Sequence, residues 1–166
     1  VDPGTYDEQV LVNRSVTIKG IGEAKPVIDF TGTVTGKPTI LDISVPNVSI
    51  ENLRIRVDMT KLNSAIIASA SNIDNLNINN DSIESYASNS AAPLFGLIEN
   101  RNAISINYQG ATNFRLAEVG VNNISVTDNI ISTVTGQSCY FRSGVSVDEG
   151  TGVFNNNSIQ TLYNDL

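Results

Sequence analysis

A short alternation of aliphatic and polar residues recurs along the chain. It appears as Ser15-Val16-Thr17-Ile18, Asn47-Val48-Ser49-Ile50, Asn75-Leu76-Asn77-Ile78, Ala103-Ile104-Ser105-Ile106 and Asn123-Ile124-Ser125-Val126, and more weakly as Gly152-Val153-Phe154. A period of two marks a strand with one buried face. With the last residue of each motif as anchor, the positions are 18, 50, 78, 106, 126 and 154, and the steps are 32, 28, 28, 20 and 28 residues. Steps of this size mark a solenoid. A second apolar cluster precedes most anchors (Ile40, Leu41 and Ile43; Ile66 and Ile67; Leu116 and Val119; Val145 and Val147), and a third position follows at Ile55, Ile83, Ile131 and Ile159. Each coil therefore carries about three short strands. β-Branched residues and Asn dominate, with no amphipathic helix of useful length, which argues against a βαβ sheet. The pattern predicts an all-β, right-handed, single-stranded parallel β-helix of about six coils, spanning residues 1–166 as one domain.

Asparagine supports this reading independently. Asn52, Asn79-Asn80-Asp81, Asp128-Asn129 and Asn155-Asn156-Asn157 follow the anchors. Asn tolerates the left-handed backbone of a sharp corner, and stacked amides can hydrogen-bond along the axis. Asn52, Asn80, Asp81, Asp128, Asn129, Asn156 and Asn157 are the expected ladder, broken where Tyr108 and Gln109 follow the fourth anchor. Sequons occur at Asn13, Asn47, Asn80, Asn123 and Asn156; the fold's own demand for Asn beside Ser accounts for them without glycosylation.

Charge narrows the partners. The net charge is -7 and the pI about 4.4, which argues against nucleic acid and against an anionic membrane surface. No apolar run reaches the ~20 residues of a membrane span. Cys139 is the single cysteine and there is no histidine; the thiol reads as a small buried hydrophobe rather than a nucleophile.

Residues 1–22, with Pro3-Gly4-Thr5-Tyr6, Glu8 and a strand closing on Ile18-Lys19-Gly20, resemble the opening coil of the pectin-lyase-like superfamily, close to its NosD-type and pectin methylesterase-like members. The resemblance covers about 20 residues, and beyond it only the coil pattern continues. It implies a right-handed parallel β-helix, with Tyr6 over the end of the core and Val10, Val12, Val16 and Ile18 pointing inward. The superfamily includes lyases, esterases, polygalacturonases, tailspikes and adhesins, so the residues must choose among them.

Gly4, Tyr6 and Glu8 match a pectin methylesterase element, but the Gln- and Asp-bearing motifs of that family are missing; Gln9, Gln109, Gln137 and Gln160 lie in none of them. The histidine that polygalacturonases carry at their cleft has no counterpart here. For the calcium of a pectate lyase, Asp42 and Glu118 share a face but stand about three coils, ~14 Å, apart; Asp29 and Asp42 are the nearer pair. No catalytic constellation, metal site or cofactor is expected.

Arg54 and Arg56, alternating with Leu53, Ile55 and Val57, form a basic edge that could meet an anionic sugar, or could pair with carboxylates such as Glu84 on the next coil. Tyr86, Tyr108 and Tyr140, with Phe95 and Phe141, fall in the longer segments between coils, as sugar platforms or core covers. Two Thr-rich stretches, 31–35 and 133–135, lie too far apart for an ice-binding array. Neither end shows a polar cap, and a bare rung exposes unpaired backbone and apolar side chains. Two explanations stand: a piece of a longer β-helix, or coil ends that stack head to tail on other copies.

The expectation is an extracellular, cell-surface or periplasmic structural or adhesive module, with polysaccharide and self-association through the coil ends as candidate partners. The alternative is a carbohydrate-active or glycan-binding β-helix domain, trimeric if tailspike-like.

Overall fold

A computed structural model describes residues 1–69, 73–86, 101–106, 121–134, 141, 143–147 and 150–160. The described elements are all strands, in three stacked parallel sheets. The first sheet holds β1 (Thr5–Tyr6), β4 (Val27–Asp29), β7 (Arg54–Asp58), β10 (Ser82–Tyr86), β13 (Ile130–Thr133) and β16 (Ser158–Gln160). The second holds β2 (Val10–Val12), β5 (Thr39–Ile43), β8 (Ser64–Ala68), β11 (Asn102–Ile106) and β14 (Ser143–Val147). The third holds β3 (Thr17–Lys19), β6 (Val48–Glu51), β9 (Leu76–Asn79), β12 (Val121–Thr127) and β15 (Gly150–Asn155). The chain visits the sheets in strict rotation. It thus makes five rounds of three described strands, and β16 opens a sixth. This is a parallel β-helix-like fold.

Inward side chains stack by type. Ile28, Ile55, Ile83, Ile131 and Ile159 share one register in the first sheet. Ile18, Ile50, Ile78, Val126 and Phe154 share one in the third. Ile50, Ile55, Ile78, Ile83, Val126 and Ile131 are 0% exposed. Burying each such side chain contributes about 1.5–3 kcal/mol.

The register corrects one expectation. Ile106 is not an anchor of the third sheet. Ala103–Ile106 lies in β11 and pairs with β8 and β14 of the second sheet. Ile78 is followed in its own column by Val126. The steps of 28 and 20 residues are therefore one coil of 48. The period-two pattern is alike in all three sheets, so it cannot say which one a strand joins. The expected break at Tyr108 and Gln109, which lie outside the described residues, disappears with it, because Asp128-Asn129 occupies the corner that follows β12. Leu116, Val119 and Glu118 also lie outside the described residues.

Corners carry the remaining order. Among the described residues, positive φ outside glycine occurs at Asn47, Asn52, Asn75, Asn80, Asn123, Asp128 and Asn156, all between 54° and 59°. Asn and Asp enter this left-handed region at less cost than other side chains. These seven form two columns, one at each end of the third-sheet strands.

Candidate functional site

The predicted ladder follows the third sheet and has two rows. In the outer row, the Asn80 amide donates to Asn52 Oδ1 at 3.2 Å, and the Asn52 amide donates to the Gly20 carbonyl at 2.9 Å. Asp128 and Asn156 continue the row in conformation, but Asp128 instead accepts from Asn79 at 3.3 Å. The inner row is tighter. Asn157 Oδ1 accepts from the Asn129 backbone at 3.1 Å and from its amide at 3.0 Å, and Asn129 Oδ1 accepts from the Asp81 N–H at 2.9 Å. Asp81 Oδ1 accepts from the Leu53 N–H at 2.7 Å. Each side chain satisfies a corner N–H of the coil before it, which buried backbone requires.

A second ladder was not anticipated. Asn75 donates to Asn47 Oδ1 and Asn123 to Asn75 Oδ1, both at 2.8 Å. Its signal was present, since these residues open three of the repeated motifs. The sequons at Asn80 and Asn123 thus sit on amides already committed as donors.

The predicted basic edge lies on the outer face of the first sheet. Arg54 and Arg56 project from β7, Asp29 from β4, and Glu84 and Tyr86 from β10. Register places Asp29, Arg56 and Glu84 in one row. Arg54 grips Glu84 with Nε at 3.0 Å from Oε1 and Nη2 at 2.9 Å from Oε2, the two-pronged geometry a guanidinium favours. Arg56 Nη1 donates to Asp29 Oδ2 at 2.6 Å, while its Nε stands 3.8 Å from Glu84. Tyr86 donates to Asp29 Oδ1 at 2.5 Å, and the Arg56 guanidinium lies 4.5 Å from the Tyr86 ring centre. Burial, and then the hydrogen bond to Asp29, push the Tyr86 hydroxyl pKa well above its ordinary value. The phenol is thereby kept as a donor. Two guanidinium and two carboxylate charges balance across three coils. Tyr86 ends a strand rather than lying in a loop. Phe141, 1% exposed, covers the core. Tyr108, Tyr140, Phe95 and Cys139 lie outside the described residues.

Other candidates have structural partners as well. Asp29 and Asp42 lie in different sheets, and Asp42 holds Lys37 at 2.6 Å. Gln9 fastens the next coil's loop, donating to the Lys37 and Thr39 carbonyls at 3.1 and 2.8 Å and accepting from Thr35 N at 3.0 Å. Thr31 donates to both oxygens of Asp7, at 2.7 and 2.6 Å. Among the described residues no group of three His, Cys, Asp or Glu converges as metal ligands.

The outermost rungs differ from the inner ones. Inward-facing Val16 is 41% exposed at one end of the column, and Phe154 and Ile159 are 46% and 48% exposed at the other. A depression of about 510 Å³ there is lined by Gly144, Val145, Val147, Phe154, Asn157 and Ile159. No family model matches this chain, and no curated protein or solved structure matches it significantly.

Proposed function

We propose that this chain is a right-handed β-helix of the pectin-lyase-like kind that serves as a structural or adhesive module outside the cell, at its surface or in the periplasm. One observation carries the reading. The side chains best suited to hold a sugar, Arg54, Arg56 and Tyr86, are closed on Asp29 and Glu84 and brace three successive coils. Such a face resists distortion of the column. It has little free charge to offer a polyanion, and the exposed Arg54–Glu84 pair adds only ~0–1 kcal/mol to stability. The apolar surface left for a partner is then that of the outermost described rungs, where Val16, Phe154 and Ile159 stand exposed. A second copy stacked on the axis would cover them, and a head-to-tail contact that does not close grows into a filament.

The alternative, a glycan-binding or carbohydrate-active domain, draws support from the same cluster, since an aromatic ring beside charged hydrogen-bonding groups also suits a sugar. Affinity electrophoresis through immobilised anionic and neutral polysaccharides separates the two. The structural reading predicts unchanged mobility for the chain and for Arg54→Ala/Arg56→Ala. Retardation that this double variant abolishes would overturn it in favour of glycan binding.

A further inference from the structure

The inner ladder repeats one pattern and departs from it once. The Asn157 amide donates to the Val126 carbonyl at 2.8 Å, and the Asn129 amide donates to the Ile78 carbonyl at 3.0 Å. Val126, Ile78 and Ile50 are the same position on successive coils. Translating the pattern by one more coil brings the equivalent atom of residue 81 to the Ile50 carbonyl. In this rung the residue is Asp81, not Asn. Its side chain reproduces the accepting half of the motif, taking the Leu53 N–H on Oδ1. Its Oδ2 stands where the other two rungs carry an NH₂ group, and it is buried without a hydrogen-bond partner. An ionised oxygen in that place would set negative charge against a carbonyl oxygen, away from bulk solvent.

We infer that Asp81 is held as a neutral carboxylic acid whose O–H donates to the Ile50 carbonyl, so that this rung is complete only while the proton is in place. A carbonyl has two lone pairs and can take this donor besides its sheet partner. The proton converts an acceptor into the donor that Asn supplies on the next two coils. Burial acts in the same direction, pushing the Asp81 carboxyl up to about 7 against the opposing effects of the Leu53 N–H and Lys25. Two charged groups face it. Lys25 reaches past it to the Asn80 carbonyl at 2.5 Å, and Glu51 is tied to Lys19 at 3.1 Å. Glu51 adds negative potential and favours the neutral acid. The carboxylate of Asp128 lies one corner along the axis, against Asn79.

The sign of the pH dependence follows. A carboxyl whose pKa is raised on folding contributes stability that is fully present below its unfolded value of 3.8 and is lost as pH rises through about 7. Glu51 runs the opposite way. The Ser49 hydroxyl, and then Lys19, hold its carboxyl below the ordinary 4.5, so its contribution is lost only in stronger acid. A window from about pH 5 to about pH 8.5 therefore lies above the range of Glu51, and within it the difference between wild type and Asp81→Asn singles out Asp81 from Lys25, whose burial lowers its own pKa.

The test is thermal unfolding of the intact chain across that window, beside Asp81→Asn. The wild-type melting temperature should fall by roughly 5–10 °C from the acid to the alkaline end. Asp81→Asn, which supplies the amide directly, should abolish most of that fall and melt higher than wild type at the alkaline end. A variant with an unchanged pH slope, or one less stable than wild type at the alkaline end, would overturn the inference. Carbon NMR of the Asp81 carboxyl gives a second reading that needs no variant. A titration centred near neutrality supports the neutral acid, and a carboxylate shift throughout the window refutes it.

Discussion

Single residues set the corners of this fold, and asparagine does so by two routes. Asn80 has φ of 54° and also donates along the outer ladder to Asn52. The two contributions can be separated by substitution. Asn80→Ala meets the left-handed penalty of about 1–2 kcal/mol and also loses the amide. Asn80→Gly loses the amide but meets no such penalty. Urea unfolding should therefore rank wild type above Asn80→Gly and Asn80→Ala last. Equal losses in the two variants would mean that backbone strain is not what asparagine relieves here. The sequence made the outer row legible because Asn or Asp recurs after four of the anchors. It concealed the acid at position 81, because Asp and Asn look interchangeable until the partner of each oxygen is known. The pairing of Arg54 with Glu84 was legible from their spacing on adjacent coils. The engagement of Asp29 with both Arg56 and Tyr86 was not, since it depends on a register that no local pattern specifies.

The described strands are short, from two to seven residues, and each is stabilised by the coils it pairs with. That makes the effect of a core substitution depend on its rung. Ile18 and Ile78 share one register column, but Ile78 is 0% exposed while Ile18 is partly exposed at the column's edge. Ile78→Ala should cost about 2–5 kcal/mol, and Ile18→Ala distinctly less. Denaturant midpoints compare the two, and equal losses would contradict the dependence on burial. Alternation of apolar and polar residues was enough to read strand existence and the inward residues, including the isoleucine column of the first sheet. It could not phase the fourth coil. Ala103–Ile106 has the same alternation as a third-sheet strand, and only the following corner distinguishes it. Val126 is followed by Asp128 at φ 59° and by Asn129, which enters the inner ladder. Ile106 is followed by no such pair in the sequence.

At the scale of the whole molecule, the lateral faces and the ends behave differently. Laterally, polar groups are tied coil to coil by the Asn ladders, by Arg54 and Arg56 with their carboxylates, and by Gln9 and Asp7 in the first coils. At the ends, side chains that would be core on an inner coil remain exposed: Val16 on one side, Phe154 and Ile159 on the other. The proposed structural role requires that a second copy cover these rungs along the axis. Light scattering coupled to size-exclusion chromatography, over a concentration series of the intact chain, tests that role most directly. Axial association predicts a mass that grows with concentration without settling on a closed number, and that falls when Phe154→Asp places a charge on its exposed rung. A mass fixed at the monomer across the series would contradict axial association, and a mass fixed at a trimer would contradict it in favour of a tailspike-like assembly.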